Sequence, residues 1–150
     1  MRVERIISAL RPVVEVFEQL AIRYQIGGSV AASTFGQARS TLDVDLVAAV
    51  ELQHAHPIAD ALDDRYYAEP ELILAAVRER SCFNLIHLAT CFKVDVFAVK
   101  ENCYERAAFA REVMVRLGTG AAAREYRFST PEDIILHKLA WFRASNESRE

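Results

Sequence analysis

Two aspartates two residues apart, Asp43-Val44-Asp45, and a third, Asp95, in the apolar setting Cys91-Phe92-Lys93-Val94-Asp95-Val96-Phe97, are the residues that point most directly to chemistry. Residues 44–50 are apolar and β-branched and read as a central strand. Strand side chains alternate faces, so Asp43 and Asp45 project from one side while Val44 points into the core. Two bare carboxylates this close repel, and each holds a raised pKa unless a cation lies between them. A divalent metal resolves the repulsion, and magnesium is the hard, oxygen-seeking choice. An isolated D-x-D more often marks a solvated strand end than a metal site. Here Val44, Leu46 and Val47 weigh against free solvation. Asp95 asks for its own reason, because aspartate is depleted from strand interiors. The ordinary explanation is an edge strand, with Asp95 exposed or paired to Lys93 on the same face. The functional one is a third metal ligand beside the first pair. Three carboxylates from two neighbouring strands suit two magnesium ions about 4 Å apart, as in two-metal phosphoryl transfer.

Gly27-Gly28-Ser29 supplies a different chemistry. A Gly-Gly turn lets a phosphate approach the backbone without Cβ atoms in the way. Free N–H groups at a following helix start favour an anion, and the Ser29 hydroxyl can donate to a phosphate oxygen. Ser29 as a plain helix cap is the ordinary alternative, and the two roles are compatible.

These groups need elements to hold them. Residues 2–23 read as a helix, with Ile6, Ile7, Leu10, Val13, Val14, Phe17, Leu20 and Ala21 on one face. Pro12 should kink it or start a second helix. Residues 24–26 form a short strand, 29–35 one or two helical turns, and 37–42 a polar loop. A helix is expected to start near Pro57, and 64–68 reads as a turn. Another helix spans 70–80, with Leu72, Ile73, Ala76 and Val77 inward. Residues 82–88 and 92–99 form an antiparallel hairpin joined at Ala89-Thr90. Residues 101–112 look helical, and 113–117 and 125–128 pair around the loop 118–120. Ser129-Thr130-Pro131-Glu132 opens a last helix, with a hydroxyl cap, a proline in the first turn and early acids, running to about Phe142. Helices and strands mix without a regular βαβ rhythm, so the class is α+β with a mixed sheet.

Taken together, the strand, the Gly28-Ser29 turn, a short helix, the Asp43-Val44-Asp45 strand and the later Asp95 resemble the nucleotidyltransferase superfamily, the fold of DNA polymerase β and of antibiotic nucleotidyltransferases. Arg39 and Thr41 resemble the R-x-T-x-D-x-D form of small bacterial members. The segment STPEDIILHKLAWFR is similar to one in abortive-infection-type toxin nucleotidyltransferases, with Lys138 and Arg143 at the matching positions. These segments cover about a third of the chain. The resemblance implies a nucleotidyltransferase-like mixed β-sheet flanked by helices. It also implies transfer of a nucleoside monophosphate from a nucleoside triphosphate, ATP among them, to a hydroxyl acceptor. Asp43, Asp45 and Asp95 would be catalytic and hold two Mg²⁺ ions. Gly28, Ser29, Arg39, Thr41 and Lys138 would bind the triphosphate. The acceptor is open between a tRNA 3′ end, a protein and a small molecule, and an antitoxin partner is part of the same resemblance. The relatives carry a further acidic helix after this tail, so the chain reads as one domain, short or truncated at its C-terminus. A module that binds nucleotide without turnover is the competing reading.

The bulk properties narrow the rest. A chain of 150 residues with 52% hydrophobic content suits one domain with a real core. No apolar run is long enough to span a membrane and no signal-like start is present, so the cytoplasm is the expected compartment. The net charge of −3 lacks the basic excess of a passive nucleic-acid binder. Three cysteines, Cys82, Cys91 and Cys103, without C-x-x-C spacing, read as free thiols. His54, His56, His87 and His137 read as ordinary histidines, Asp63-Asp64 as a solvated helix end, and Trp141 and Phe142 as core or a contact with a missing element.

Overall fold

The computed structural model describes residues 2–28 and 43–147. Among them lie seven strands and five helices. Helix α1 spans Arg2–Gln19 as one helix with Pro12 inside it. It buries Leu10, Val13, Val14 and Phe17 completely, as the spacing of its apolar positions requires. Strands β1 (Tyr24–Gly27) and β2 (Asp43–Ala48) follow. A turn of 3-10 helix precedes helix α2 (Ala55–Leu62). The segment predicted as a turn contains a two-residue strand, β3 (Tyr66–Tyr67). Helix α3 (Pro70–Glu79) opens on its proline, whose fixed φ suits a first turn. It turns Ile73, Ala76 and Val77 inward, but Leu72 is 58% exposed, contrary to expectation. Strands β4 (Cys82–His87) and β5 (Lys93–Ala98) form the expected hairpin. Helix α4 (Cys103–Ala110), strands β6 (Val113–Leu117) and β7 (Arg124–Phe128), and helix α5 (Pro131–Glu147) complete the chain.

The strands make one mixed sheet in the order β3-β4-β5-β2-β1-β7-β6. Its centre positions the candidate site. Strand β2 runs antiparallel to β1 and parallel to β5. Alternate residues of β2 (Val44, Leu46, Ala48), β5 (Val94, Val96, Ala98) and β4 (Phe83, Leu85) are buried, and most of them join the residues of α1, α2 and α3 in one core. The intervening residues occupy the opposite face. Period-two alternation therefore separates core from chemistry on the same three strands. Asp95 lies on an interior strand, which removes the edge-strand explanation.

Candidate active site

Strand register assembles the acids. Asp45 is paired with Asp95 across the parallel β2–β5 ladder and with Gly27 across the antiparallel β1–β2 ladder. Asn84 of β4 continues that row on the far side of Asp95. Asp43 is paired with Lys93 in the row above. Directly paired residues share a face, so one side of the sheet carries Asn84, Asp95 and Asp45 in a line.

Gly28 closes the end of this line. Its φ is +60°, a left-handed conformation that favours glycine. A Cβ there would lie 1.7 Å from Asp45 Oδ2, inside the carboxylate itself. The second glycine of the Gly-Gly turn is thus required by backbone conformation and by the space Asp45 occupies. Gln25, on the neighbouring pair of β1, steadies the strand. Its Nε2 donates to the carbonyls of Phe109 (2.6 Å) and Arg111 (2.8 Å), and Ser129 Oγ donates to its Oε1 (3.2 Å). Ser129 is therefore a buried tie to β1. The helix cap is Thr130, whose Oγ1 accepts from the Asp133 N–H at 3.2 Å.

The electrostatics fit a cation site. Burial pushes the Asp95 carboxyl above the ordinary carboxylate range; Lys93 opposes this and Asp43 adds to it. Asp95 Oδ1 is buried with no hydrogen-bond partner among the described residues. Lys93 Nζ lies 3.6 Å from Asp95 Oδ2 and 4.0 Å from Asp43 Oδ1. Its ammonium reaches both carboxylates. The Cys82 thiol is pushed up to about 11, by burial first and then by Asp95 and Asp45, which marks it as a neighbour of the same field. As the side chains stand, no three ligating residues among those described surround one point. The donor set nevertheless suits a hard divalent cation: carboxylate oxygens only, one of them, Asp95 Oδ1, buried and without a hydrogen-bond partner among the described residues.

The structure treats the other predicted residues differently. Ser29, Arg39 and Thr41 lie outside the described residues. Lys138 is exposed on α5 and makes no ion pair with the acids among the described residues. His87 is buried, with Nδ1 2.7 Å from Thr90 Oγ1; His137 Nε2 lies 2.9 Å from Glu105 Oε2. The three cysteines are free. Trp141 and Phe142, expected as core or contact, are 76% and 63% exposed. The sequence reading passed over Asn84 and the buried Asp133. Asp133 accepts from Arg111 Nη2 (2.6 Å) and Nε (3.0 Å) and from Thr130 Oγ1 (2.8 Å). An aspartate in a helix's first turn is so common that it gives no signal of this network. Two surface clefts, of about 360 Å³ beside Tyr24 and Arg127 and about 580 Å³ beside Val50 and Arg106, are not lined by the acids.

Among solved structures the chain is similar to a lincosamide antibiotic adenylyltransferase with lincomycin bound (TM-score 0.50, 15% identity, 86% of this chain and 83% of that one). It is also similar to a nucleotidyltransferase candidate from Thermotoga maritima (TM-score 0.62, 12% identity, 99% and 92%). A third is the antibiotic-resistance factor ANT(2'')-Ia (TM-score 0.55, 15% identity, 98% and 75%). The fold is that of the nucleotidyltransferases. These identities carry the fold alone. No protein-family model and no curated protein matches the sequence. Among the described residues no helix is long and apolar enough to cross a membrane.

Proposed function

We propose that the chain is a nucleotidyltransferase that moves a nucleoside monophosphate from a nucleoside triphosphate to an acceptor hydroxyl. The observation that carries this reading is the in-register row of Asp45 and Asp95, closed by a glycine that both its left-handed backbone and the Asp45 carboxylate require. Asp43, Asp45 and Asp95 would hold magnesium, which when bound neutralises charge on the transferring phosphoryl group. In the overall reaction the acceptor oxygen bonds to the α-phosphorus, the bond from that phosphorus to the bridging oxygen breaks, and pyrophosphate leaves. Asp95, whose carboxyl is raised by burial, would take the hydroxyl proton. Gly28, with Ser29, Arg39 and Thr41, is assigned to the triphosphate, and Lys138 is kept as a phosphate contact. Lys93 serves as counter-ion to Asp43 and Asp95 until the metal arrives. An RNA end, a protein and a small molecule all remain acceptors of this reaction, and an antitoxin partner and toxin-type role rest on the sequence resemblance.

The test is transfer of α-phosphate label with magnesium. Asp45→Ala is expected to abolish it while the circular dichroism spectrum and melting temperature stay near wild type. Undiminished transfer in that variant would sink the assignment. Retained magnesium-dependent nucleotide binding without pyrophosphate release by the wild type would favour the non-catalytic module.

A further inference from the structure

Helix α5 is held to the body at one end. Its first turn buries Asp133 and Ile134, and His137 reaches Glu105 of α4. Beyond that point none of residues 138–146 is buried, although the helix runs on to Glu147. A helical segment this short is marginal in water by itself and draws its stability from an apolar face that is covered. Such a face is present. Ile135, Leu136, Leu139 and Phe142 are 58%, 48%, 59% and 63% exposed. At about 100° per residue they lie on a side of the helix away from Ile134. Trp141 is different: it continues the line of Ile134 and His137 at spacings of three and four, opposite the two leucines.

The pattern around the leucines is symmetric. Glu132, Leu136, Leu139 and Arg143 follow one another at spacings of four, three and four, which read the same in both directions. They form one stripe about 60° wide, and all four are exposed. A two-fold axis between Leu136 and Leu139 exchanges the leucines with each other and a carboxylate with a guanidinium. A second copy laid antiparallel across that axis sets Leu136 against the other Leu139 and Glu132 against the other Arg143, twice over. Ile135 and Phe142 flank the stripe on one side, and the same operation brings Ile135 of one copy near Phe142 of the other. Arginine presents five N–H donors, so one contact within its own chain does not exhaust Arg143. A parallel pair would oppose like charges and place both bodies at the same end. A foreign apolar partner would account for the leucines, but not for opposite charges at positions that a two-fold exchanges.

We infer that α5 is a self-association surface, on which a second copy of this chain packs its own α5 antiparallel about a two-fold axis between Leu136 and Leu139. Four apolar side chains at these exposures make a patch of roughly a few hundred Å², the size at which exposed apolar surface marks an interaction site. A single pair of helices reaches only the lower edge of stable interfaces, about 1,200 Å² in total, so the dimer is reversible. The end charges fix the antiparallel sense and the choice of a like copy more than they add affinity. The inference does not depend on the reading of the active site.

The test is analytical ultracentrifugation of the 150-residue chain at low salt, from about 5 to 300 µM, the range in which a small interface shows both species. The wild type is expected to pass from monomer to dimer and to form nothing larger. Leu136→Lys with Leu139→Lys is expected to keep the chain monomeric throughout, with its circular dichroism spectrum unchanged. Glu132→Lys and Arg143→Glu are each expected to weaken the dimer about tenfold, because each sets like charges opposite one another twice. The two together are expected to restore it to within about threefold. Trp141→Ser, on the opposite side of the helix, is expected to leave it unchanged. A wild type that stays monomeric to the top of the range overturns the inference, as does open-ended association. So does a charge swap that fails to restore what its single variants lose, or a Trp141→Ser variant that dissociates as the leucine variant does.

Discussion

Gly28 and Asp45 constrain each other directly. The left-handed conformation of Gly28 costs an L-residue about 1–2 kcal/mol, and a methyl group there would occupy the position of Asp45 Oδ2. Gly28→Ala is therefore expected to lower stability by at least that amount and transfer by about a hundredfold or more, because displacing a reacting group by about 1 Å has that effect. Parallel melting and label-transfer measurements separate the two. Asp95 allows a prediction of opposite sign for stability. Burial raises its folded pKa above the unfolded value, so its contribution to stability is full below the ordinary carboxylate range and is lost as pH rises through the raised value. At pH 7 its charge works against folding. Asp95→Asn is expected to melt higher than wild type at pH 7 and to converge with it below about pH 4, while transfer is lost. A variant that melts lower at pH 7 would show that Asp95 serves the fold.

At the scale of elements, α5 is fastened to the body by the groups around Asp133. The Arg111 guanidinium, then the Thr130 hydroxyl and Tyr104, hold its carboxyl below the usual range against the opposing effect of burial. A depressed folded pKa contributes stability that is present above the unfolded value and lost as pH falls through the folded one. Asp133→Asn is expected to cost about 2 kcal/mol at pH 7, the order of a charged hydrogen bond, and the deficit to shrink as pH falls below the carboxylate range. Urea unfolding at pH 7 and pH 3 reads both. This network also shows where the sequence stops being legible. The hydroxyl-proline-acid run announced the helix start correctly, because capping is local chemistry. It did not show which hydroxyl caps, since Ser129 is claimed by Gln25 across 104 positions of sequence. The same holds for the site. Alternation on β2 was visible within seven residues, whereas the pairing of Asp45 with Asp95 depends on a parallel ladder between strands separated by α2, β3, α3 and β4. The family resemblance, not periodicity, supplied that pairing in advance.

Over the whole molecule, the core belongs to one face of the sheet. The helices α1, α2 and α3 contribute their apolar stripes to it, and those stripes were readable from spacing. Helix α5 departs from this pattern. It places Asp133 and Ile134 inward, yet Ile135, Leu139 and Phe142, at i, i+4 and i+7 on another face, are 58%, 59% and 63% exposed. Trp141 and Phe142 read from the sequence as core or as a contact with a missing element, and apolar spacing alone does not distinguish a buried face from an exposed one. Surface substitutions away from caps and networks change stability by about 0.5 kcal/mol or less. The double variant Leu139→Lys, Phe142→Lys is accordingly expected to melt within about 4 °C of wild type. Contiguous exposed apolar area drives association, so the wild type is expected to show concentration-dependent light scattering and this variant to lose it. A fall in melting temperature of the size of a lost core leucine, about 2–5 kcal/mol, would instead place this face inside the folded unit.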